Sequence, residues 1–190
     1  MGKKIIAERW QRGDAVGGGG QATVYKATEI DNPTEIFALK YLKKQDDIER
    51  RKRMFNEVNN VKLLQNDHLI SIIDTNCNLY ESENVDLYYV TSYIEGCTLE
   101  KYCDENDIPF LEALSLFKEM LKVVSYCHKK KILHRDIKPE NIMLKDNNLY
   151  DFVLIDFGLS FNSSEENCQE TCTLSDQQLG NRFLLLPELV

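Results

Sequence analysis

Apolar positions along this chain change their spacing about half-way, and the change predicts two regions of different build. Before residue 92 the apolar residues come in short runs rich in β-branched and aromatic side chains. The glycine run Gly17 to Gly20 followed by Thr23-Val24-Tyr25-Lys26-Ala27 predicts two strands within residues 12–29, joined by a flexible turn. Ile36-Phe37-Ala38-Leu39-Lys40-Tyr41-Leu42 reads as a third strand, and residues 69–73 and 86–91 as further ones. Between them, the charged stretch 46–65 places Met54, Phe55, Val58, Val61 and Leu64 on one face of a helix. The second half follows a different rule. Phe110, Leu114, Phe117, Leu121 and Val124 recur at three- and four-residue steps, with Ala113 and Met120 flanking them. That stripe predicts a long amphipathic helix, with Asp107 as candidate cap, Pro109 in the first turn and Lys129-Lys130-Lys131 at the negative end. A short hairpin follows, Phe152-Val153-Leu154-Ile155 reads as a short buried strand, and the polar stretch Asn162 to Gln178 as a loop. The change of character falls near Ser92 to Gly96.

Composition narrows the function classes. The 190 residues are 43% hydrophobic and 28% charged, ordinary for a soluble globular protein. A formal net charge of -8 argues against extensive nucleic-acid binding as a primary role. No apolar run approaches a membrane span, and Met1-Gly2-Lys3-Lys4-Ile5-Ile6 is too short and too soon charged for a secretory signal. Gly2 has no downstream Ser or Thr suited to myristoylation. The six cysteines, at 77, 97, 103, 127, 168 and 172, form no Cys-x-x-Cys pair, and no histidine lies near Cys168 and Cys172. A structural zinc site is not expected, and reduced thiols in a cytoplasmic protein are.

The chemistry concentrates in His134-Arg135-Asp136-Ile137-Lys138-Pro139-Glu140-Asn141 and in Asp156-Phe157-Gly158. Asp136 and Asn141 are close enough in sequence for one loop to aim both side chains into one site. Phosphoryl transfer needs such a pair, a carboxylate facing the acceptor hydroxyl and an amide oxygen on a metal ion. Asp156 supplies a second carboxylate after the buried strand. With these motifs in order, the chain resembles the eukaryotic-type serine/threonine protein kinase family.

The resemblance implies an α+β, two-lobed fold: a β-rich N-lobe with one helix, residues 1–92, and an incomplete helical C-lobe, residues 93–190. ATP with Mg²⁺ would lie in the cleft between them. It implies a glycine-rich loop with Gly17 and Gly19 over the phosphates, Ala22 standing where a third glycine is expected, and Val24, Ala38 and Met143 around the adenine. Lys40 would neutralise phosphate charge, held by an ion pair with Glu57. Thr91 would be the gatekeeper, and the backbone of Ser92 and Ile94 would bond the base. Asp136 would orient the acceptor hydroxyl, Lys138 would stabilise the transferring phosphate, and Asn141 and Asp156 would hold the metal. His134 would pack and bond backbone. Lys138 two residues after Asp136 is the serine/threonine pattern, so the implied partner is a protein with a Ser or Thr acceptor. Arg135 implies an ordered phosphate on the following loop, with Ser160, Ser163, Ser164, Thr171, Thr173 and Ser175 as candidates.

Two features depart from the family. In Gly180-Asn181-Arg182-Phe183-Leu184-Leu185-Leu186-Pro187-Glu188, Asn181 replaces a threonine and Leu186 an alanine. The family's large lobe also continues for several helices beyond the point that Val190 occupies. These leave a second reading, a kinase-like module that binds nucleotide or a partner without transfer. A third reading, a small-molecule phosphotransferase, is disfavoured by Lys138 and Pro187-Glu188.

Overall fold

The computed structural model describes residues 4–163, which belong to two compact units. The first contains Met1–Lys62 and Ile70–Ile94, the second Leu63–Leu69 and Glu95–Val190. Both an antiparallel sheet with one helix and a unit of helices and short strands are present, as the α+β expectation requires.

In the first unit the chain runs through β1 (Ile5–Ile6), β2 (Trp10–Gly18), β3 (Ala22–Glu29), β4 (Phe37–Leu42), α1 (Ile48–Lys62), β5 (Ile72–Thr75) and β6 (Tyr88–Ser92). The strands form one antiparallel sheet in the order β1-β2-β3-β4-β6-β5. Period-2 alternation divides their side chains between two faces. Ile6, Trp10, Ala27, Phe37, Leu39, Tyr88 and Val90 build a core on one of them. Trp10 is fully buried there; its indole N–H donates to Asp74 Oδ2 over 2.5 Å, which satisfies the one polar atom the ring carries inward. The opposite face presents Ala22, Leu42, Leu87 and Tyr89, which pack with Cys77 and with Met54 and Val58 of α1.

Helix α1 is shorter than its charged stretch predicts, but it buries Met54, Val58 and Val61 from the predicted face. It also buries Arg51. This guanidinium donates to the carbonyls of Leu79, Tyr80, Ser82 and Val85 in the loop between β5 and β6 and to that of Gln45 just before α1, so a cation beneath the surface is met by backbone oxygens. The strand expected at residues 69–73 lies later, at 72–75, and Leu69 instead forms a parallel bridge with Leu154 in the second unit.

The second unit contains β7 (Gly96–Thr98), α2 (Leu99–Glu105), α3 (Phe110–Lys129), β8 (Ile132–Leu133), β9 (Ile142–Lys145), β10 (Phe152–Leu154) and β11 (Phe161–Asn162). The hydroxyl of Thr98 caps α2 by accepting from Lys101 N. The β9–β10 hairpin, extended by β7, is the predicted hairpin and buried strand.

Helix α3 corrects two expectations. Asp107 does not cap it: Pro109 is the N-cap, and its carbonyl accepts from the backbone of Glu112 and Ala113. The buried face is also not the predicted stripe. Leu116, Met120, Val123 and Cys127 are buried, while Phe110, Leu114, Phe117 and Leu121 are exposed. Apolar residues occupy two faces of this helix, so 3.6-residue periodicity identifies a helix here without choosing the side that the core covers.

Candidate phosphotransfer site

In the first unit, strand register places four of the predicted residues on one face. Val24 pairs with Lys40, and Lys40 with Tyr89; Ala38 pairs with Lys26 and with Thr91. Directly paired residues point to the same side of a sheet, so Val24, Ala38, Lys40 and Thr91 share the face against which α1 packs. Lys40 Nζ lies 2.7 Å from Glu57 Oε1, with both side chains largely buried. The helix therefore delivers Glu57 across to the strand lysine, as an ion pair requires. Ser92 ends β6 and Ile94 follows it, in the segment that leaves the sheet.

The glycine run closes the β2–β3 hairpin, with Gly17 opposite Val24 and Gly18 opposite Thr23. Gly17 and Gly19 lie in open space, and the residue that the backbone requires to be glycine is Gly18. Its φ is +140°, and a Cβ there would sit 2.6 Å from the Ala22 carbonyl oxygen. Side chains hold the turn from outside: Lys43 donates to Gly19 O and Arg50 to Gly20 O. Backbone exposed without Cβ atoms is a surface that phosphate oxygens can approach.

In the second unit the segment 134–141 folds on its own hydrogen bonds. Asn141 Nδ2 donates both to the Asp136 carbonyl, at 2.8 Å, and to Asp136 Oδ2, at 2.9 Å. Lys138 Nζ is 3.0 Å from the same carboxylate oxygen. This hydrogen bond raises the Lys138 pKa against the smaller opposing effect of burial, so the ammonium is charged at neutral pH. With the Asn141 amide nitrogen committed to Asp136, its Oδ1 is the atom of the side chain that can act as an oxygen donor. Two non-glycine residues flank this constellation in the left-handed region, Arg135 at φ 65° and Asp156 at φ 58°. Local backbone strain of this kind persists only where surrounding bonds over-determine it. Gly158 N donates to Asp156 Oδ1, and Ile155 N to Asn141 O, which ties the Asp156 segment to the 134–141 loop.

His134 is the joint between the two segments. Nε2–H donates to Ile155 O at 3.1 Å, and Nδ1 accepts from Asp136 N at 3.3 Å, a pattern that defines the neutral tautomer. Phe157 packs edge-on against the ring at 4.5 Å. Burial, opposed by the bond to Ile155 and by nearby Asp156 and Asp136, holds the imidazole pKa below its ordinary value. The Arg135 guanidinium stacks 4.2 Å from the Phe161 ring centroid. Of the candidate phosphate acceptors, Ser160 and Ser163 are described; Ser164, Thr171, Thr173 and Ser175 lie outside the described residues, as do Asn181 and Leu186. Met143 sits on β9, half-buried, paired with Val153 and Thr98.

The donor chemistry fits a magnesium nucleotide. Among the described residues no three His, Cys, Asp or Glu side chains gather as a self-sufficient metal site. Asn141 and Asp156 offer hard oxygen donors, and a magnesium ion takes only one or two protein ligands when phosphate oxygens and water complete its shell. A hollow in the second unit, lined by residues 95–97, 101–102, 105–106 and 146–147, contains none of these residues.

Sequence reasoning missed three participants: Gly18, Arg51 and Tyr89. Gly18 is hidden among four consecutive glycines, Arg51 in a run of charges, and Tyr89 beside a second tyrosine in an apolar strand.

The family model of the protein kinase domain matches residues 10–190, and the chain belongs to the protein kinase family. Its relatives include the serine/threonine-protein kinase PrkC of Bacillus subtilis, 32% identical over 97% of this chain. A probable serine/threonine-protein kinase of Clostridium acetobutylicum is 30% identical over 97% of it, and the probable serine/threonine-protein kinase PknB of Lactococcus lactis 28% over 97%. The chain spans 27% of the first two relatives and 28% of the third. Among the described residues, no helix is long and apolar enough to cross a membrane.

Proposed function

We propose that the protein transfers the γ-phosphate of ATP to serine or threonine hydroxyls of protein substrates. The observation that carries this reading is the Asp136 carboxylate, bonded at once by Lys138 and Asn141. A carboxylate held from two sides keeps a fixed direction, which general-base or hydroxyl-orienting work requires. Asp136 would accept or orient the acceptor proton, and Lys138 would meet the negative charge that builds on the transferred group. Lys40, fixed by Glu57, would neutralise the phosphates further back, while the Gly17–Gly19 turn would lie over them and Val24, Ala38 and Met143 would bound the base. The backbone of Ser92 and Ile94 would bond adenine. Asn141 and Asp156 would hold Mg²⁺, which when bound supplies charge neutralisation on the phosphate oxygens. The relatives' serine/threonine specificity and Lys138 two residues after Asp136 support the acceptor class. A cytoplasmic location belongs to the same proposal.

The test is Asp136→Asn in the full native chain, with phosphotransfer to a generic Ser/Thr substrate measured beside ATP affinity. Loss of at least about 100-fold in kcat with ATP affinity within about threefold is expected, because a positioned acid–base group contributes roughly 10²–10⁴-fold. Unchanged turnover overturns the assignment. ATP binding by the wild type without any transfer would favour a non-catalytic module.

A further inference from the structure

We propose that Tyr89 is a positioning residue for the Lys40–Glu57 pair, a role that rests on the phosphotransfer reading only where activity is the readout. Tyr89 lies on β6 directly opposite Lys40 in register, so the two side chains share the face that α1 covers. Its hydroxyl donates to Glu57 Oε1 over 2.7 Å, the same carboxylate oxygen that Lys40 Nζ meets at 2.7 Å. The Lys40 ammonium also stands 5.5 Å from the centroid of the Tyr89 ring. Tyr89 is only 3% exposed and Glu57 also 3%, so water is a poor substitute for the phenol.

The geometry gives the phenol two tasks. It is a donor that keeps the Glu57 side chain extended from α1 toward β4, and its ring is a wall beside the ammonium. Phenylalanine would keep the wall and the packing with Met54, Val58 and Leu87 and remove only the donor. The neighbouring Tyr88 is a natural control. It points to the other face, where its hydroxyl donates to Asp74 Oδ2 at 3.1 Å, with Trp10 bonded to the same oxygen. Tyr88→Phe therefore deletes a phenol–carboxylate bond from the same strand without touching Lys40.

The experiment measures how fast a small acylating reagent, N-hydroxysuccinimidyl acetate, modifies Lys40 in the full native chain, read by peptide mass spectrometry without nucleotide. An ammonium engaged by a carboxylate reacts slowly until the pair opens. Tyr89→Phe and Glu57→Gln should each speed acylation several-fold, the double variant should be no faster than Glu57→Gln alone, and Tyr88→Phe should match wild type. Any other pattern overturns the proposal, including equal and additive effects of the two changes, which would mark Tyr89 as packing only. In the second arm, Tyr89→Phe should lower kcat/KM for ATP about tenfold in the wild-type background, and that loss should vanish in the Glu57→Gln background. A wild type without phosphotransfer but with the expected acylation pattern refutes the phosphotransfer reading alone. Activity with acylation unaffected by Tyr89→Phe refutes the role of Tyr89 alone.

Discussion

Individual side chains in this domain are defined by the atoms they bond, and His134 is the clearest case. Its two nitrogens join the Asp136 and Ile155 backbones, so it works only as the neutral ring. The unfolded chain titrates near the ordinary value of 6.5, whereas the folded imidazole titrates lower because it is buried. As pH falls through 6.5 the unfolded state takes its proton first, and the folded state loses stability; above that pH the effect is absent. The denaturant-unfolding free energy should therefore fall as the pH drops below 6.5, by at most about 1.4 kcal/mol per pH unit. A His134→Gln variant should have a flatter profile over the same window, and identical slopes would refute the account. Residue identities at such positions were legible in the sequence because the chemistry needs particular groups at short separations, as in Asp136, Lys138 and Asn141. Gly18 was not. Its requirement comes from a φ of +140° that only the folded hairpin imposes, and in sequence it is one glycine among four.

Helices carry the strongest contrast between pattern and packing. The exposed stripe of α3 contains residues as apolar as the buried one, so the two faces differ in energy and not in composition. Met120→Ala, which empties a buried position, should destabilise the protein by about 2–5 kcal/mol. Phe117→Ala, at 59% exposure, should cost within about 0.5 kcal/mol. Thermal or denaturant unfolding of the two variants decides between them, and a larger cost at Phe117 would restore the stripe that periodicity favours. In α1 the decisive residue is Arg51, which binds five backbone carbonyls six positions before Glu57. Arg51→Met should cost at least about 3 kcal/mol, because it removes five charge-assisted hydrogen bonds made by a buried guanidinium. Chemical denaturation measures it; a loss below about 1 kcal/mol would mean that the carbonyls find other partners.

At the scale of the whole molecule, ligand linkage is the appropriate measurement. A ligand bound only by the folded state stabilises it by RT ln(1 + [L]/Kd), about 2.7 kcal/mol at a hundredfold excess over Kd. ATP with Mg²⁺ should therefore raise the melting temperature by several degrees, and Lys40→Met, whose own ligand-free melting point falls because buried Glu57 loses its counter-charge, should lose most of that rise. An equal rise in both proteins would separate Lys40 from nucleotide binding.

The sequence by itself determined the order of the phosphotransfer motifs and the strand and helix types around them. Those properties depend on residue identity and on spacing of a few positions, which bonding along the chain preserves. Tertiary structure alone decided which side of α3 is covered, where Arg51 goes, and that Tyr89, 32 residues from Glu57, shares its carboxylate with Lys40. These depend on contacts between distant segments, and local periodicity contains no term for what lies on the other side of the contact.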